Sequence, residues 1–441
     1  MAVAFISTLI YVGSIDSESY DDLGLLARLE DVPDDRNGYT AIAYMFEDDF
    51  EFYSDRSYLH KLGAYVEGED WSDEVASELL EGKDSDIEAT IAASEYPQFK
   101  FETSEKYGGL PHLEPALSLL RLLVLQAIVD ARADRLDQAV ELTQSAIVFS
   151  EQIKAESSHV MILYMFGVSL EHMVLQWVHQ LVTQYALSED QFLNLKAAVD
   201  AIPGYKIDSF DKTFAGELRF VQSFLEGEAN RPLTERWDIF LSKEYYEEDS
   251  LNVRVKWLVS SYLILMSPRY VMHTNEILDV VAKVHKEVSQ QSPHYCDSVT
   301  LRATDLEPSE TWLDILQPNN WGGLNTTVPA TFELHFTQRC FAHTYVAAIK
   351  AIVALKHYQS REGELSEELA ALVPDYLSEL PIDPFNGRPL MYSKSDGWLY
   401  SVGDNFIDNG GSEDSRFVRY CHRDKQCASN PTVPLVNYTS P

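Results

Sequence analysis

His159, His172 and His179 are the residues whose spacing first invites a chemical reading. His172 and His179 stand two helical turns apart, and His159 falls on a compatible face further back. Such a face could hold a metal or move protons, but both tasks need carboxylates at hand, and Glu171 is the only close acid. There is no His-Glu-x-x-His element, so the three are expected to be packed or surface histidines. The pairs Asp34-Asp35 and Asp48-Asp49 would serve a glycosidase only if the fold set two carboxyls across a bond from each other. Adjacency alone leaves them as solvated loop residues. Tyr107-Gly-Gly109 and Trp321-Gly-Gly323 lack the strand–loop–helix setting of a nucleotide site, and no Gly-x-Ser-x-Gly element exists. Cys421 and Cys427 enclose a short polar segment, which suits a small disulfide loop in an oxidising compartment. Zinc usually takes a tighter spacing and a second Cys/His pair, and none stands nearby.

The chain of 441 residues is long enough for two or three domains with real cores. Its 24 Tyr, 20 Phe and 7 Trp exclude a disordered chain. With 34 basic against 70 acidic residues the formal net charge is −36, which repels phosphate backbones and anionic lipid. Nucleic acid is therefore not an expected partner, and a membrane is expected only through an N-terminal anchor. Met1 to Gly13 is an uncharged apolar run, too short to span a bilayer as a helix. It fits the apolar region of a signal peptide, with Val12-Gly13-Ser14 as a small-residue cleavage site but no basic residues in front. The alternative is a buried first strand or helix of a cytoplasmic protein, and export is the expected reading.

The elements that must position any site are mostly helices. Residues 15–106 are acid-rich and broken by turn signals such as 31–38. Helices are expected over Thr40 to Phe46 and Trp71 to Leu80, with Ser72 and Ser85 as caps. Leu117, Leu120, Val124 and Ile128 recur at helical spacing, and 133–137 breaks the run. A second helix carries Ala139, Leu142, Ala146 and Phe149, and a third runs from about Ser158 to Ala186. Ser188-Glu-Asp-Gln191 is a capping box that opens a fourth. Paired helices with a short acidic turn resemble tetratricopeptide hairpins without a clean repeat. The expected architecture is thus an irregular helical bundle or a degenerate helix-hairpin array. Further helices are expected at Phe210 to Gly227, Val253 to Met266 and Met272 to Ser289, and residues 291–330 carry the proline and glycine density of a linker.

The C-terminal part reads differently. A long amphipathic helix spans Thr331 to Leu355, with Tyr345, Ile349, Ile352 and Leu355 on one face, and the chain breaks at Gly363. A short helix follows at Glu367 to Leu372, then a turn framed by Pro384 and Gly387. Leu390 to Tyr392 and Trp398 to Val402 read as antiparallel strands about the turn Ser395-Asp396-Gly397. A two- or three-stranded sheet of this size must lie on the helix to be stable.

This order of parts, with Gly363, Leu369 to Val373, Tyr376 to Leu380, Asp383 to Gly387, Pro389 to Tyr392 and Leu399 to Gly403, resembles the globular domain of the major pseudopilins of type II secretion systems. The likeness covers roughly 335–415. The chain lacks the cleavage site and polymerising helix of that family, so it is not expected to be a filament subunit. As a whole it resembles large helical exported bacterial proteins of unknown role that end in this module. The resemblance implies a calcium loop with carbonyls from Leu399 and Ser401 and side-chain oxygens from Asn405, Asp408 and Asp414, with Asp404 in reserve. Asn405 stands where the family places an acid, so the affinity should be lower.

The sequence thus divides into a signal-like or anchor segment at 1–14, an acidic region at 15–106, a helical domain at 107–290, a crossing at 291–330, the α+β module at 331–415 and a tail at 416–441. The expected role is that of a periplasmic or secreted binding or scaffolding protein of the cell envelope with an unidentified protein partner. The alternatives are a hydrolase with its site in a groove of the helical domain, and a structural cap without ligand.

Overall fold

The computed structural model describes Ile15 and residues 32–46, 56–67, 71–102, 113–156, 161–204, 327–412 and 431–435, with scattered positions between 213 and 296. The chain divides into two compact units, Met1–Leu29 with Asp211–Phe336, and Glu30–Phe210 with Thr337–Pro441. In the first, the described positions between 213 and 230 are helical, and Cys296 is disulfide-bonded. The second unit carries most of the described residues. It is mostly helical and ends in a small sheet, as the apolar spacing requires. Met1 to Gly13, Val253 to Met266, and the Cys421 and Cys427 loop lie outside the described residues.

Nine α-helices follow one another among the described residues: α1 Tyr39–Ile42, α2 Arg56–Glu67, α3 Asp73–Leu80, α4 Asp84–Ser94, α5 Glu114–Arg132, α6 Leu136–Glu156, α7 Met161–Gln184, α8 Glu189–Ala201 and α9 Thr327–Glu362. Their ends have local causes. The Ser72 hydroxyl accepts from the Val75 N–H and starts α3. Ser85, expected as a cap of the helix over Trp71 to Leu80, instead lies in the first turn of the next helix, α4, whose N-cap is Lys83; the C-cap of α3 is Glu81. Asp134 takes the left-handed conformation (φ 60°) and turns the chain between α5 and α6. Ser188 and Gln191 form the reciprocal capping box of α8, the Ser188 N–H donating to Gln191 Oε1 at 2.8 Å.

Helices α5, α6 and α7 pack in sequence, and each also meets the helix two along: α4 on α6, α5 on α7, α6 on α8. That is the contact order of stacked helical hairpins. By length and composition α7 is apolar enough to cross a membrane, but 83% of its most apolar window is buried inside the protein, as in a core helix.

Past α9 the chain makes a 3-10 turn at Leu369–Leu372 and then three short antiparallel strands. They are β1 Met391–Ser393, β2 Trp398–Tyr400 and β3 Thr432–Pro434, in that spatial order. Leu399 is fully buried at the centre, opposite Tyr392 on one side and Val433 on the other. β3 comes from the segment read as a tail. One contiguous core runs from Tyr39 to Leu435 and joins Leu119 and Ile147 of the helices to Ile352, Leu390 and Val433 of the module. Polar ties cross the same junction. His179 Nε2 lies 2.6 Å from the Pro434 carbonyl oxygen, and since a carbonyl only accepts, the ring must carry its proton there. His357 Nε2 reaches Glu189 Oε2 at 2.8 Å while its ring stacks on Phe192.

Candidate functional site

Three segments leave a cleft of about 620 Å³ between the helices and the module. Its floor is one face of α9, where His343, Val346, Ala347 and Lys350 follow at helical spacing. One wall is the end of α8 and the chain after it, Asp200 to Gly204. The other is the run Leu377 to Ile382 with Pro384. The prolines explain why these walls stay irregular: Pro203, Pro381 and Pro384 cannot donate to a ladder or extend a helix. The volume falls within the usual range for ligand pockets, about 300–1,000 Å³.

Lys350 is the cleft's central charged group. Its ammonium donates to the Ile202 carbonyl at 2.8 Å and to the Asp200 carbonyl at 3.3 Å, which satisfies orphan carbonyls at the end of α8. Burial pulls its pKa down, partly offset by the charges of Asp200 and Glu171. The Asp200 carboxylate is paired with Lys196. His343 is nearly fully buried in the floor.

A buried ion cluster that sequence reasoning passed over lies within electrostatic reach of this floor. Lys154 of α6 pairs with Glu171 of α7 and lies 2.7 Å from Glu151. Lys154 and Glu171 are almost wholly buried. Burial pushes the Glu151 carboxyl up to about 8, the Lys154 ammonium opposes this, and the Glu171 charge adds to it. Burial also pushes Glu171 upward, but Lys154 and the hydrogen bonds around it outweigh that and hold it below the usual range. Lys154 is held above its ordinary value by its two partners, against burial. Of the two carboxyls, Glu151 is thus the one that favours its protonated form and Glu171 the one held ionised beside Lys154. The helices approach closely here: a Cβ on Gly167 would stand 2.5 Å from the Lys154 Cα. The signal was in the sequence, because Glu171 is the one acidic residue in the apolar helix α7.

Leu399 is the buried centre of β2. The Ser401 hydroxyl donates to Asp383 at 2.9 Å, and its N–H donates to Pro431 O. Asn405 Oδ1 accepts from the Ile407 N–H and Asp408 Oδ1 from the Gly410 N–H. Asp408 also interacts with the Tyr400 hydroxyl. Asp404 is pushed up by burial, offset by backbone N–H groups. Gly411 (φ 65°) lies against Tyr400, where a Cβ would come within 2.9 Å of the ring. Asp414 lies outside the described residues. Among the described residues no three His, Cys, Asp or Glu side chains gather as a metal site would require. His172 packs its ring against Tyr345, centroids 4.4 Å apart, and His159 lies outside the described residues.

The residue that organises the loop is Asp383, read from sequence only as part of a turn. It is 1% exposed. Its carboxylate accepts from the Phe385 and Val402 N–H groups at 3.0 and 2.9 Å and from the Ser401 hydroxyl. Burial pushes its pKa up against these hydrogen bonds. Asp383 thereby pins the Asp-Pro-Phe turn to the end of β2. Phe385, buried beside it, packs on Phe341 of α9 and on Phe406 at the loop tip. Comparison with protein-family models, with curated proteins and with solved structures found no match to this chain.

Proposed function

We propose that the protein is a non-catalytic binding or scaffolding protein of the cell envelope, and that the cleft between helices and module is where a segment of its protein partner lies. The observation that carries this reading is the cleft's lining. It is a half-open groove whose apolar side chains are Val346, Ala347, Leu377, Leu380, Ile382 and three prolines, with His343 and Lys350 as the polar groups of its floor. Apolar grooves with a small number of placed polar groups are the common form of recognition sites. Two of its charged groups are engaged in structure: Asp200 with Lys196, and Lys350 with two carbonyls. That weighs against the hydrolase alternative, which needs such groups free to move protons.

The disulfide-bonded Cys296 and Cys340 support a periplasmic or secreted location, since such bonds persist in oxidising compartments. The pseudopilin-like reading of the module is supported by its order of long helix, Asp-Pro-Phe turn, antiparallel strands and Gly/Asp loop. Calcium in that loop is part of the proposal. Leu399, Ser401, Asn405, Asp408 and Asp414 would hold it, and the bends at Asn405 and Asp408 support a wrapped loop.

The test is to fill the cleft. A peptide library with free ends is selected on the wild-type protein, and the selected peptides are measured against Ala347→Trp after its melting temperature confirms folding. Binding that Ala347→Trp abolishes supports the reading. Peptides that bind both proteins alike, or no enrichment at all, overturn it.

A further inference from the structure

The floor of the cleft carries a charge that forms no ion pair among the described residues, although Asp200 and Glu171 attract it from further off. An ammonium has three protons, and two of those on Lys350 go to the carbonyls of Ile202 and Asp200, which are neutral. The nearest carboxylate on that wall, Asp200, is paired with Lys196. Behind the floor, Lys154 is matched by Glu171. Glu379, the other carboxylate in the lining, is exposed at the rim. Lys350 therefore offers one remaining donor and a positive charge in a half-buried, mainly apolar setting, where a single carboxylate gains more than it would in water.

We propose that the cleft receives the C-terminal end of an apolar polypeptide segment, its terminal carboxylate on Lys350 and its last side chains against Val346, Ala347, Leu377 and Ile382. This rests on the cleft-binding reading above and names the part of the partner that enters. A chain end fits better than an acidic peptide, because a net charge of −36 repels a partner with many carboxylates while tolerating one. A hydrocarbon acid offers the same carboxylate and apolar chain, and the dodecanoate arm of the experiment tells the two apart.

The experiment uses the full chain and fluorescein-labelled hexapeptides ending in Leu, Ile or Phe, each made as free acid and as C-terminal amide, read by fluorescence anisotropy. The free acids are expected to bind roughly tenfold or more tightly than the amides. Lys350→Met should erase that ratio and Lys350→Arg should keep it. Acids and amides binding alike, with both blocked by Ala347→Trp, would overturn the carboxylate proposal and leave the cleft-binding reading standing. Failure of every peptide to bind would sink both. Dodecanoate that binds where the peptides do not would also overturn the proposal, because the carboxylate would then come from a lipid. Should Lys350→Met fail to fold, the acid-to-amide ratio on wild type and on Lys350→Arg still decides.

Discussion

The helical array and the C-terminal module each bury a carboxylate, and they satisfy it by different means. In the array, Glu171 lies in the middle of α7, where every backbone N–H is already held by the carbonyl four residues back. No main-chain donor is left, so its partner must be a side chain, and Lys154 with Glu151 supplies it. In the module, Asp383 sits at a turn beside the end of a strand, where N–H groups are not consumed by a ladder. Phe385 and Val402 donate directly, and no cation is needed. The lesson is that regular structure exhausts its own donors. A buried acid within a long helix therefore calls for a counter-charge, whereas one in a loop can be held by the loop.

The largest expected effect tests the first half of that contrast. Lys154→Met leaves Glu171 buried without its cation and should destabilise the protein by about 3–5 kcal/mol in urea unfolding. Replacing Lys154 and Glu171 together with Met should recover most of the loss. A double variant as unstable as the single would break the comparison. Asp383→Ala is next, at about 2–3 kcal/mol, because three donors lose their acceptor. Its signature is regional: amides of β2 and β3 should exchange faster while those of α5 and α6 keep their protection. Equal loss in both regions would show that the module is not held by this carboxylate.

A smaller effect lies in the pH dependence. Glu151 has a folded value near 8 against an ordinary value of 4.5, so between these the folded state holds a proton the unfolded chain releases. Its contribution is fully present below about 4.5 and is lost as pH rises through about 8. Glu171 is depressed and acts in the opposite sense, its contribution present above about 4.5 and lost as pH falls through its folded value. Glu151→Gln should flatten the decline in melting temperature between pH 5 and 8, and an unchanged slope would assign the proton elsewhere. The smallest effect is that of calcium. For a site of millimolar affinity, 5 mM calcium should add about 1 kcal/mol to stability. No shift in melting temperature, with the fold intact, would remove the metal from the loop.

Much of this architecture was legible in local signals. The spacing of Leu117, Leu120, Val124 and Ile128 marked α5, the Ser188–Gln191 box began α8 as read, and Ser395-Asp396-Gly397 turned β1 into β2. The long helix was seen, but it runs to Glu362, one residue before Gly363. What escaped was set by partners distant in sequence. β3 is three residues ending in proline, without an alternating pattern of its own, and pairs only because Leu399 faces Val433. Asp383 looked like a turn residue because its donors come from Val402 and Ser401, at the far end of a strand. The cleft was invisible for the same reason. Its floor, walls and charge come from segments around 200, 350 and 380, and nothing in any one of them tells that the three meet.

The late position of β3 has a consequence for how the protein comes into being during synthesis. Helices α5 to α8 meet neighbours close by in the chain, so they can assemble as soon as residue 201 has been made. The sheet cannot follow that schedule. β1 and β2 exist by residue 400, but the strand that completes them, and the carbonyl that His179 grips, arrive only with residues 432–434. Until then Leu399 lacks one of its two strand neighbours. For that interval the nascent chain carries packed helices α5 to α8 and an open sheet edge, which exposes the module to mispairing or to a chaperone.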